Sequence, residues 1–101
     1  MINAQTEQIM ADILEYKGDK FLVLCAIEEM AEFAKELLKN INRGKDNIDD
    51  VIEELANIYV CLGHIKNIYG VSDVRLAEII NEKMPRKWRH KIAKWKAEAK
   101  G

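Results

Sequence analysis

The chain is 101 residues long, 33% charged and 49% hydrophobic, with a formal net charge of −1, a balance that suits one soluble globular domain. One proline and five glycines argue against a loop-rich or disordered polymer. The longest apolar run, Phe21 to Ile27, is seven residues against the ~20 needed to span a bilayer, and two cysteines outside any CxxC pattern make no disulfide framework.

The opening MINAQTEQ lacks the basic and apolar regions of a secretory signal, so a reducing, cytoplasmic setting is expected. Ile9, Met10, Ile13 and Leu14 then recur at helical spacing, and Lys17-Gly18 supplies a stop. Asp19 is a candidate cap for a second helix running to about Asn42. Its expected inner face carries Ile27, Met30, Ala31, Ala34, Leu37, Leu38 and Ile41.

Arg43-Gly44 breaks that helix. Asp46 or Asn47 can cap a third, with Ile48, Ile52, Leu55, Ala56, Tyr59 and Leu62 inward and Gly70 at its end. Ser72 or Asp73 opens a fourth, with Val74, Ala77, Ile80 and Met84 inward. Pro85 is expected to interrupt it, leaving a basic helical tail that holds Trp88, Ile92 and Trp95. No alternating β-branched segment occurs. The spacing predicts an all-α antiparallel bundle of four helices over residues 1–85, followed by a basic C-terminal tail over 86–101.

Charge divides at the same boundary. Residues 1–85 hold nine Lys/Arg against sixteen Asp/Glu, a net −7, whereas residues 86–101 hold seven against one, a net +6. The acidic body opposes nucleic-acid binding, which rests on phosphate neutralisation. A docking helix accounts for the Trp-bearing tail, and such a tail can also cover the acidic stripe of a neighbouring chain.

The acids fall in two similar phrases, IEEMAEF over residues 27–33 and IEELANI over residues 52–58. At about 100° per residue, Cys25, Glu29, Glu32 and Glu36 share one strip of the second helix. Asp50, Glu54, Asn57, Cys61 and His64 share one strip of the third. With the turn centred on Arg43, an antiparallel pairing sets Glu32 level with Glu54, Glu29 with Asn57, Glu36 with Asp50 and Cys25 with Cys61. Two readings follow from the spacing. The acids are either two solvated helix faces or a convergent group whose mutual repulsion a hard divalent cation such as Mg²⁺ would relieve.

Glu28-Glu29-Met30-Ala31-Glu32 followed by Glu54-Leu55-Ala56-Asn57 resembles the EExxE…ExxD signature of the MazG-like, all-α nucleoside triphosphate pyrophosphohydrolases, over roughly residues 20–90. The resemblance implies a helical bundle assembled as a homodimer or homotetramer. It also implies an Mg²⁺-dependent (or Mn²⁺-dependent) enzyme that splits a nucleoside triphosphate substrate into monophosphate and pyrophosphate. It assigns Glu29, Glu32, Glu54 and position 57 to the metal, and Glu28 to an outer or water-activating role. Lys83, Arg86 and Arg89 are the counterparts of cations that hold phosphate. Asn57 stands where the family has Asp. It keeps an oxygen ligand but not the charge, so a catalytically weakened nucleotide-binding or interaction module is the second expectation.

Cys25, Cys61 and His64 could in principle hold a soft metal, but inert thiols lining a helix interface are the commoner use of such residues. No Glu-x-x-His pattern is present, which disfavours a di-iron carboxylate centre.

Overall fold

The computed structural model of the chain describes residues 2–100. It contains four helices, α1 (Ala4–Lys17), α2 (Asp19–Arg43), α3 (Ile48–Tyr69) and α4 (Asp73–Lys100), and no strand among the described residues. The fold is all-α, as the periodicity predicts, and no helix is long and apolar enough to cross a membrane.

The boundaries follow local chemistry. Asn3 caps α1, its Oδ1 accepting from the Thr6 N–H at 2.8 Å, and Ser72 Oγ accepts from the Arg75 N–H at 3.1 Å at the start of α4. α2 and α3 end at Gly44 and Gly70, with φ of 60° and 64°, a left-handed conformation that a Cβ disfavours. Asp19 is not the cap of α2. It is the first helical residue, and Gly18 precedes it without a side-chain cap.

The residues up to Gly70 form one compact unit and those from Val71 onward a second. In the first, the short connection after Arg43 folds α3 back along α2, and α1 packs against α2. The seam side of α2 presents Leu22, Cys25, Ala26, Glu29, Phe33 and Glu36. Leu22 and Ala26 are buried and the other four half-buried. Small side chains at Cys25 and Ala26 let the two backbones approach. α1 reaches α3 through Met10, whose Cε lies 3.3 Å from where a Cβ on Gly63 would stand, so Gly63 makes room for that methyl.

The expected inner faces are not the buried ones. Ile27, Met30, Leu38 and Ile41 are exposed on α2, as are Ile48, Ile52, Leu55, Tyr59 and Leu62 on α3; Ala31, Ala34 and Ala56 are exposed as well. Two helices lying side by side bury only the strip between them, and that strip here carries the small and acidic residues. At about 100° per residue, Met30, Leu37 and Ile41 lie roughly a quarter turn round from Glu29, and Leu55, Leu62 and Ile48 roughly a quarter turn from Glu54. Because the helices are antiparallel, these rotations point to the same side of the hairpin. The result is one contiguous apolar face behind an acidic seam.

α4 buries no residue. Val74 and Ile80, expected inward, are 70% and 53% exposed. Pro85 lies inside the helix and does not end it. The ring removes the N–H that would bond the Asn81 carbonyl and costs about 3 kcal/mol; strong helix formers on both sides (Glu82, Lys83, Met84, Arg86, Lys87) offset that cost. The basic tail is therefore the second half of α4, and the boundary expected between 85 and 86 falls within a continuous helix. Along it Trp88 and Trp95 approach to 6.2 Å between ring centroids, tilted by 60°. The Lys91 ammonium sits 4.9 Å from the Trp88 ring, a cation–π distance.

Candidate metal centre at the α2–α3 seam

Glu29 and Glu54 meet across the seam, both half-buried. The Glu29 carboxyl is held above its ordinary 4.5. Burial is the largest cause, followed by a hydrogen bond with Glu54 and the Glu54 charge. The Asn57 amide pulls the other way by hydrogen bonding to the Glu29 carboxylate, and the charge of Glu32 adds to the rise. One oxygen of the pair, Glu54 Oε2, is buried with no hydrogen-bond partner. An acceptor in that position is costly unless a proton or a cation joins it.

The seam thus brings together Glu29, Glu54 and Asn57. Glu32 stands beside Glu29 with its side chain exposed, and Glu28 is exposed on the same helix. Among the described residues no group of three or more His, Cys, Asp or Glu is arranged to hold one metal ion. The groups gathered at the seam are two carboxylates and the Asn57 amide, which donates to Glu29, with the charge of Glu32 also felt there. Lys83, Arg86 and Arg89 lie on α4. They are exposed at three-residue spacing, which aligns them along one side of a helix, and Arg86 Nη2 reaches Glu82 Oε1 at 3.8 Å.

The register agrees with expectation at two levels and departs at two others, the first being that Glu54, expected level with Glu32, meets Glu29. Glu29 interacts with Asn57, and the Cys61 thiol feels the charge of Cys25. Glu36, however, is bound by Asn47 and not Asp50. Asn47 Nδ2 donates to Glu36 Oε2 at 2.7 Å and to the Glu36 carbonyl oxygen at 3.0 Å, while Lys39 Nζ reaches Glu36 Oε1 at 3.1 Å. The Asn47 hydrogen bond, then that of Lys39, holds the Glu36 carboxyl below its ordinary value. Asn40 Nδ2 completes the group by donating to Asn47 Oδ1 at 3.2 Å. The sequence marked Asn47 only as a helix cap; what it lacked was any sign that the side chain turns back onto α2.

The cysteines are free and half-buried. Burial, then the charges of Glu29 and Cys25, push the Cys61 thiol up, so it stays protonated and inert near neutral pH. His64 is buried at 7% exposure, and burial lowers its value, favouring the neutral ring. It lines a cleft of about 340 Å³ with Met10 and Leu14 of α1. Set against protein-family models, curated proteins and solved structures, the chain matches none of them.

Proposed function

We propose that the chain is an Mg²⁺-dependent nucleoside triphosphate pyrophosphohydrolase that converts an NTP or dNTP to the monophosphate and pyrophosphate. The observation that carries the reading is the partnerless, buried Glu54 Oε2, on a side chain that meets a carboxyl whose own ionisation is opposed. A divalent cation is the simplest group that satisfies both. The donors fit its chemistry, since Mg²⁺ takes hard oxygens, needs only one or two carboxylates from protein and keeps several waters. Glu29, Glu54 and the Asn57 amide oxygen would hold it, with Glu32 reaching in from its exposed position. The motif resemblance around Glu28–Glu32 and Glu54–Asn57 supports the same assignment.

Bound Mg²⁺ would offset phosphate charge and lower the pKa of a bound water. The chain's own residues do the rest. Glu28 accepts a proton from the attacking water or orients a neighbour that does. Lys83, Arg86 and Arg89 are the cations that the motif resemblance matches to phosphate-holding positions, Lys acting as a point charge and Arg bidentately. The apolar face on α2 and α3 supports a homodimer or homotetramer, because contiguous exposed apolar surface of this kind marks an association site. The free thiols fit a cytoplasmic, reducing setting.

The direct test measures pyrophosphate release from a panel of NTPs and dNTPs with Mg²⁺ or Mn²⁺. Release that depends on metal and is lost in Glu54→Gln supports the enzyme; no turnover at high protein concentration with any nucleotide removes it. Asn57 favours a second reading, a weakened module that binds nucleotide without hydrolysing it. Calorimetry that detects nucleotide binding without product would favour that alternative.

A further inference from the structure

Asn47 is 4% exposed, and every polar atom of its side chain is engaged. The amide nitrogen donates to Glu36 twice, and the amide oxygen accepts from Asn40. It occupies the N-cap position of α3 yet makes no capping bond to its own helix. Asparagine is among the best capping residues, so this side chain forgoes a favourable local bond in order to bind the neighbouring helix.

Spacing shows what that bond fixes. Glu36 lies seven residues after Glu29, and Asn47 seven residues before Glu54. Seven residues are two helical turns, about 10.5 Å of rise. The Glu36–Asn47 contact and the Glu29–Glu54 contact are therefore two rungs of one antiparallel register. Slippage by a turn, about 5.4 Å, would separate both pairs together. The apolar part of the seam (Leu22, Cys25, Ala26 and Phe33) makes only nondirectional contacts. Directional, buried polar bonds are the groups that specify register.

We infer that Asn47 is a positioning residue, and that its clasp on Glu36 sets the register in which Glu29 meets Glu54 two turns away. The effect on metal rests on the reading under Proposed function; the effect on register does not.

The experiment compares wild type with Asn47→Asp, which keeps the shape, removes the donor and faces Glu36 with a like charge. Methyl NOEs from Ala26, the most buried side chain at 1% exposure, to the isoleucines of α3 read the register. Mn²⁺ titration read by electron paramagnetic resonance gives metal affinity. N47D is expected to alter or broaden the NOE pattern and to weaken Mn²⁺ binding about tenfold, the range found when outer supports of metal ligands are removed. Adding Glu36→Gln to N47D exchanges donor and acceptor between the two side chains, but not at the Glu36 carbonyl oxygen, and is expected to restore both readouts in part. Asn3→Ala, which removes the α1 cap, lowers stability without touching the clasp and is expected to leave both unchanged. Should N47D fail to fold, Glu36→Ala removes the shorter Asn47 bond more gently and is scored by the same two measurements. An unaltered NOE pattern in the folded variant overturns the inference. Wild-type protein that takes up no Mn²⁺ overturns the metal reading alone, and the NOE arm then still decides the role of Asn47.

Discussion

Glu29 lies against Glu54 across the α2–α3 seam, and one oxygen of that pair, Glu54 Oε2, is buried without a hydrogen-bond partner. A fold that only needed a stable seam would place apolar side chains there, as it does at Leu22 and Ala26. Apolar replacements of buried charged groups are often neutral or stabilising, so the pair is costly to the folded chain.

Glu54→Gln tests that cost. The amide removes the repulsion and supplies a donor to Glu29, so the melting temperature at neutral pH is expected to hold or rise by about a few degrees. Pyrophosphate release is expected to fall by at least roughly 100-fold, beyond the effect of losing an outer support. Differential scanning fluorimetry and the release assay check both. A large loss of stability together with retained activity would contradict the role assigned to the pair.

The pH dependence has a definite sign. The folded-state value of Glu29 is above its ordinary 4.5, so its contribution to stability is fully present below that ordinary value and is lost as pH rises through the raised one. Glu36 is held below its ordinary value and acts oppositely, its contribution being lost as pH falls through the lowered one. Chemical denaturation from pH 3 to 8 without divalent ions is expected to show a maximum between these limbs. Adding Mg²⁺ is expected to remove the upper loss, because a cation at the seam stabilises the ionised pair.

Asn57→Asp supplies the negative charge that the pattern this motif resembles carries at this position. The new carboxylate adds repulsion to Glu29 in place of the amide hydrogen bond, so the metal-free protein is expected to lose stability by on the order of 1 kcal/mol. With Mg²⁺ the order reverses, and turnover is expected to equal or exceed that of the native chain. Denaturation midpoints with and without Mg²⁺, alongside pyrophosphate release, measure the crossover.

The apolar face gives a prediction about assembly. Ile52 is 57% exposed and Leu55 41% exposed, so a charge placed there meets water in a single chain and meets a low-dielectric contact in an oligomer. Ile52→Glu and Leu55→Glu are expected to leave helix content unchanged and to shift the mass to that of a monomer. Light scattering coupled to gel filtration reads the change, and unchanged mass in both variants would show that this face is not the contact.

Helix positions were legible because their signals are local. Gly18, Gly44 and Gly70 each mark a stop that any sequence window contains, and the i, i+3, i+4 recurrence between them needs no knowledge of partners. The facing of Glu29 with Asn57 was also legible, since a tight turn at Arg43-Gly44 leaves little freedom in an antiparallel pairing. Burial was not. Periodicity identifies Ile27, Met30 and Ile41 as a face that favours removal from water, but not the surface that removes it. Asn47 escaped for a related reason, because its choice between its own helix and Glu36 depends on a distance set only once α2 and α3 meet. Pro85 does not end α4, because a single ring weakens a helix only locally and the strong formers around it outweigh that.

Both tryptophans of the chain, Trp88 and Trp95, sit on α4 with their rings close and tilted, while the carboxylate seam lies wholly within α2 and α3. Indole emission is therefore a private signal of the basic helix, quenched or shifted by whatever that helix touches, and silent about the acids. Far-ultraviolet dichroism, by contrast, sums over every helix. Unfolding curves from the two probes should superimpose only when the basic helix and the acidic unit melt as one body, so a single cuvette can report whether the chain behaves as one cooperative molecule or two.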